Sequence, residues 1–149
     1  MVLWRISNRL SLAGDGGMRA SGRWHTRGRR VVYCSESPAA ALVEILVHFE
    51  IDVRELPIRY RLLKLQVPDD LVVEHVVLQD LPEDWAERTN LTRSIGDRWL
   101  QAERAPLDRV PSAVVPETFN VLMNPAHRHA RRINVVYASE HTIDPRLLW

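Results

Sequence analysis

Residues 38–49 read PAAALVEILVHF, an apolar run holding one acid, Glu44. Tyr33 closes the short stretch VVY just upstream, and Arg23 precedes it in SGRWH. A carboxylate, a phenol and a guanidinium therefore fall within one short strand-then-helix unit. Among small apolar side chains a carboxylate loses hydration, which costs free energy unless something binds it. That placement makes Glu44 the best pointer to function in the chain. The alternative for Glu44 is the polar edge of an ordinary amphipathic helix. Arg23 reads as a counter-ion for Glu44, as a phosphate anchor, or as one surface arginine beside Arg19, Arg27, Arg29 and Arg30. Tyr33 reads as a ring for an aromatic ligand or as a core tyrosine.

Ser112 lies between Pro111 and Ala113, where a fixed hydroxyl either meets a ligand or closes a local turn. Asn120 and Asn124 share that pair of readings. His127 and His129 lack the spacing and the partners of a metal site, so no metal is expected. Cys34, the single cysteine, rules out an internal disulfide and reads as a buried, inert thiol.

These residues need elements to hold them. MVLWRIS alternates like a strand, and AGDGGMRASG, with four glycines, reads as a loop without a dinucleotide fingerprint. Residues 29–34 read as a strand. Ser37 then Pro38 starts a helix running to about residue 50. On it Leu42, Ile45, Leu46 and Phe49 form one face, and Glu44 shares the other with Ala40, Ala41, Val47 and His48. RYRLLKLQV is a strand with Leu63, Leu65 and Val67 on one side, ended by Pro68-Asp69-Asp70. LVVEHVVL reads as extended and LPEDW as a turn. A helix is expected from Thr92 to about Glu103, with Ile95, Trp99 and Ala102 on one face. VPSAVVP, NVLMNP and INVVYAS read as extended pieces, and HTIDPRLLW closes the chain. This irregular interleaving predicts a single α+β domain over residues 1–149.

The 149 residues suffice for a real core, and an apolar share of 46% excludes bulk disorder. A formal net charge of +1 gives no general ground for binding nucleic acid or membrane. With no basic groove and no acid–base histidine pair, a nuclease is disfavoured. Lys64 is the only lysine, a skew that fits a genomic bias or a use for forked anion recognition. The absence of a signal segment or a long apolar stretch predicts a cytoplasmic protein.

Taken together, SGRWHTRGRRVVYCSESPAAALVEILVH, TRSIGDRW, VPSAVVPETFNVLMNP and DPRL resemble the RES-domain family, toxins of bacterial type II toxin–antitoxin modules named for an Arg, a Glu and a Ser. The likeness runs from Trp4 almost to the C-terminus. The family's arginine falls on Arg23, its tyrosine on Tyr33, its glutamate on Glu44 and its serine on Ser112, while His25 stands where many members carry Asn. The resemblance implies a fold like the diphtheria-toxin type of ADP-ribosyltransferase and a site for NAD⁺ as substrate, with no separate cofactor. It implies NAD⁺ destruction by hydrolysis or phosphorolysis, or transfer of ADP-ribose to a protein. It also implies an Xre-like antitoxin partner with a helix-turn-helix DNA-binding domain. In that frame Glu44 steadies the charged ribose, Tyr33 packs on nicotinamide, Arg23 holds the pyrophosphate or orders the ribose, and Arg5 is a second phosphate contact. Ser112 fixes the nicotinamide end, and Asn124 joins the substrate-binding set. A non-catalytic module that binds NAD⁺ or a partner is the reading from another class.

Overall fold

The computed structural model describes residues 1–48 and 58–148. Seven strands make one sheet: β1 (Val2–Ile6), β2 (Val32–Ser35), β3 (Arg59–Gln66), β4 (Val73–His75), β5 (Leu107–Pro111), β6 (Phe119–Met123) and β7 (Asn134–Thr142). Their order is β4-β5-β6-β2-β1-β3-β7, antiparallel except for the β4–β5 pair. Among the described residues three α-helices accompany it: α1 (Asp15–Arg19), α2 (Pro38–His48) and α3 (Thr89–Ala102). The α+β expectation stands.

Period-two alternation splits the core into two layers. Val121 and Met123 of β6 join Leu3, Val32, Leu63, Leu65 and Leu107 on one side of the sheet. Leu122, between them, joins Trp24, Trp99, Leu100 and Val110 on the other. Leu63, Leu65 and Val67 are buried as their alternation requires.

The sheet has a weak seam. β1 pairs with β3 through five residue pairs but with β2 through one, Trp4↔Ser35. Beyond that pair the two halves share no register, and space opens between them.

Several local expectations are revised. The glycine-rich segment is not all loop, since α1 forms in it, closed by the Ala20 N–H donating to the Gly16 carbonyl. Only Val73–His75 of LVVEHVVL is strand, followed by a 3-10 turn at Leu78–Asp80. α3 starts at Thr89, a turn before Thr92, and its buried residues are Thr92, Gly96, Trp99 and Leu100 while Ala102 is exposed. The end expected for the Glu44 helix, with Phe49, lies outside the described residues.

Candidate active site

α2 begins as the sequence requires. The Ser37 hydroxyl accepts the Ala40 N–H at 3.1 Å, and Pro38 takes the first helical position, where its missing N–H costs nothing. The helix lies over the seam, and its second face, with Ala41, Glu44, Val47 and His48, lines a cavity of about 440 Å³. Trp4 and Arg5 from β1, Tyr33 and Ser35 from β2, Arg23 and His25 from the intervening segment, and Asn120 from β6 complete its wall.

Glu44 is held by one oxygen. Its Oε1 accepts the Ser112 hydroxyl at 2.6 Å and the Asn120 Nδ2–H at 2.9 Å. Asn120 is itself fixed, its Oδ1 accepting the Ser35 hydroxyl at 3.0 Å. Among the described residues Oε2 has no partner, so the half-buried carboxylate is aimed and still has an acceptor to offer.

Ser112 belongs to this arrangement in another role than expected. Its hydroxyl donates to Glu44 and accepts the N–H groups of Val114 and Val115, both at 3.1 Å. It is 7% exposed and does not line the cavity, so it orients Glu44 instead of meeting a ligand. The turn reading of Ser112 describes its contacts with Val114 and Val115, and where a ligand contact was expected its hydroxyl meets Glu44.

Arg23 does not pair with Glu44. One guanidinium nitrogen donates to the Ala86 carbonyl, and the side chain reaches the cavity wall from there. Arg5 lies at the seam and donates Nη1–H to the Tyr33 carbonyl at 2.9 Å. Its buried Nε–H has no partner among the described residues, and burial pulls the guanidinium below its ordinary pKa. A desolvated cation with a free donor and, among the described residues, no carboxylate paired to it favours an anion.

Tyr33 presents its ring to the cavity, while its hydroxyl accepts the Trp24 N–H at 3.1 Å and lies 2.7 Å from His25 Nδ1. Burial pushes the phenol up to about 12, so it stays neutral.

Asn124, expected among the substrate contacts, is taken away from the cavity. Its amide donates to the Leu100 carbonyl at 3.0 Å and its Oδ1 accepts the Ala126 N–H at 3.1 Å, in a buried turn after β6. His127 Nδ1 accepts the His129 N–H, and no cluster of three metal-ligating side chains occurs among the described residues. Cys34 is buried, with its thiol pushed up to about 11 by burial.

Asn120, Ser35 and His25 are the site residues that sequence reading undervalued. The register pair Ser35↔Asn120 puts the first two side by side, yet nothing local to either segment announces that pairing.

The chain is an α+β domain whose single sheet opens at one seam, with a carboxylate and two arginines around the opening. The crystal structure of the MbcT–MbcA toxin–antitoxin complex of M. tuberculosis holds a chain of this fold, with a TM-score of 0.76 at 19% identity over 98% of this chain and 85% of that one. The family model described as the RES domain matches residues 2–149. A protein of Pseudomonas putida named Toxin Res is 44% identical, over 99% of both chains. A protein of Sphingobium sp. named Prs ADP-ribosylating toxin is 34% identical, over 97% of this chain and 95% of its own. The chain belongs to the RES-domain toxin family.

Proposed function

We propose that this chain is the toxin of a toxin–antitoxin pair and that it breaks the bond between nicotinamide and ribose in NAD⁺. The observation that supports this reading is the half-engaged Glu44 in the cavity wall, one oxygen held by Ser112 and Asn120 and the other without a partner among the described residues. As the bond breaks, its electron pair leaves with the ring nitrogen, so nicotinamide departs neutral and needs no strong general acid. Positive charge then develops on the ribose. A carboxylate already aimed at it stabilises that charge and accepts a ribose hydroxyl. Arg5, whose buried Nε–H has no partner among the described residues, and Arg23 hold the phosphates, and the Tyr33 ring packs on nicotinamide. Water or phosphate then adds to the ribose and gives up a proton, leaving ADP-ribose or its phosphate ester.

Purified protein tests this by quantifying NAD⁺ and nicotinamide over time, with and without phosphate. The Glu44→Gln variant keeps the neighbours' donors an acceptor and so keeps the fold. It is expected to lose about 10²–10³ in rate. Turnover near the wild-type level in that variant would remove Glu44 from the central role.

A second reading, transfer of ADP-ribose to a protein, is favoured by the Sphingobium relative's name. The first step is the same and only the acceptor differs. Labelled NAD⁺ in cell lysate gives a labelled protein band for transfer and free ADP-ribose for hydrolysis. An antitoxin partner is supported by the structural relative, a toxin crystallised in complex with its antitoxin, and the helix-turn-helix class of that partner by the family resemblance. Among the described residues no helix is long and apolar enough to cross a membrane, and we place the activity in the cytoplasm.

A further inference from the structure

His25 is 3% exposed, and its hydrogen bonds define its tautomer. The Ala20 carbonyl, 2.9 Å from Nε2, only accepts, so Nε2 carries the proton. The Gly22 N–H, shared between the His25 carbonyl at 3.1 Å and Nδ1 at 3.2 Å, only donates, so Nδ1 is the bare acceptor. The Tyr33 hydroxyl, 2.7 Å from the same Nδ1 and already accepting the Trp24 N–H, therefore points its own proton at the imidazole. One ring thus ties the end of α1, the segment that carries Arg23, and the Tyr33 side chain. Gly22 is part of the same closure, since a Cβ there would overlap Tyr33 Oη and sit 2.9 Å from His25 Nδ1.

We propose that neutral His25 is a positioning residue that locks the Tyr33 ring into the cavity wall, so that protonating it loosens the site for its ligand; this rests on the NAD⁺ reading of the cavity. A cationic imidazole donates from both nitrogens. Its Nδ1–H would face the Gly22 N–H, and the Tyr33 oxygen would have to turn its proton away while taking a second donor. Among the described residues the titratable and charged groups around His25 are Tyr33 from β2, and Arg93 and Asp97 from α3; α1 and the turn after it offer the Gly17 and Ala20 carbonyls. Burial, the largest influence, holds the imidazole below its ordinary pKa, so the locked form prevails at neutral pH.

The test uses the Glu44→Gln protein, in which bound NAD⁺ is consumed about 10²–10³ times more slowly and position 44 carries no carboxylate. Nitrogen-15 NMR of the imidazoles reads the tautomer and titration of His25, and calorimetry reads NAD⁺ affinity from about pH 7.5 to about pH 5. A bare Nδ1 at neutral pH is expected, with affinity falling about tenfold on acidification, the worth of about one hydrogen bond. The midpoint of that fall should coincide with the titration of His25. His25→Gln, which does not titrate, should flatten the dependence, and the midpoint comparison decides the matter even if that variant fails to fold. A proton on Nδ1 at pH 7.5, or an affinity midpoint away from His25's own, overturns the proposal. Failure of the protein to bind NAD⁺ at any pH overturns the NAD⁺ reading and this role with it. The tautomer spectrum tells the two failures apart.

Discussion

At the scale of single residues the site is a carboxylate aimed by two neutral donors. Asn120 is the cleaner of the two to probe, because Ser112 also closes the turn at Val114 and Val115. Removing a hydrogen bond to a charged group costs roughly 1.5–3 kcal/mol, so Asn120→Ala should lower the turnover rate about 10–100-fold with little change in KM. Ser112→Ala should show the same loss together with a lower Tm. Steady-state nicotinamide release and a thermal melt separate the two effects, and an Asn120→Ala variant with unchanged kcat would mean that Glu44 aims itself. Glu44 was legible in the sequence because an acid breaks an apolar helix face. Ser112 was legible as a fixed hydroxyl but not in its direction, which depends on Glu44 arriving from another element. Asn124 looked equivalent to Asn120. What separates them is that Asn120 lies within β6 beside Ser35, while Asn124 lies just past the strand, where its amide turns to Leu100.

At the scale of elements α3 acts as a clamp on the segment that carries Arg23. The Thr92 hydroxyl donates to the Arg23 carbonyl at 2.6 Å, and Arg93 Nε–H donates to the Gly22 carbonyl at 2.8 Å. Asp97 accepts the Thr26 N–H at 2.9 Å and its hydroxyl at 2.6 Å. Arg93 and Asp97 are one four-residue step apart and Thr92 adjoins Arg93, so at about 100° per residue the three span roughly 140° of the helix surface. Gly96 sits among them, and a Cβ there would overlap the Trp24 carbonyl oxygen. In an exposed helix Gly→Ala gains up to about 1 kcal/mol. Here the clash is with backbone, so Gly96→Ala should instead lower the Tm by several degrees and raise the KM for NAD⁺ by displacing the Arg23–Trp24 segment. A more stable Gly96→Ala protein with unchanged KM would show that the clamp is not needed. The sequence announced α3 and part of its inward face: Trp99 is buried and Ile95 packs against the same core, while Ala102 is exposed. The contact surface also includes a threonine and a glycine, chosen by a backbone lying across the helix.

At the scale of the whole molecule the α+β class followed from interleaved periodicities, but the strand order did not. The order joins residues far apart in the chain, such as Leu63 with Ala138 and Tyr33 with Leu122, and alternation within each strand fixes its faces without naming its neighbours. The seam beside the site exists only in that order. The far edge of the sheet carries a feature of similar kind: Asp108 of β5 is 3% exposed and lies opposite Glu74 of β4. Burial, then the neighbouring Glu74, push its carboxyl up to about 7. An unfolded Asp titrates near about 3.9. Between these values the unfolded chain has released the proton that the folded chain keeps, so this group lowers stability as pH rises from about 4 to about 7 and adds a constant deficit above that. The deficit is on the order of 3–4 kcal/mol. Asp108→Asn keeps the shape, cannot ionise, and offers Glu74 an N–H to accept. The variant should melt on the order of 5–10 °C above the wild type at about pH 8, with the gap closing near pH 4 to 5. Melting curves across that range decide it, because a gap of constant size would mean that Asp108 ionises in the fold without penalty.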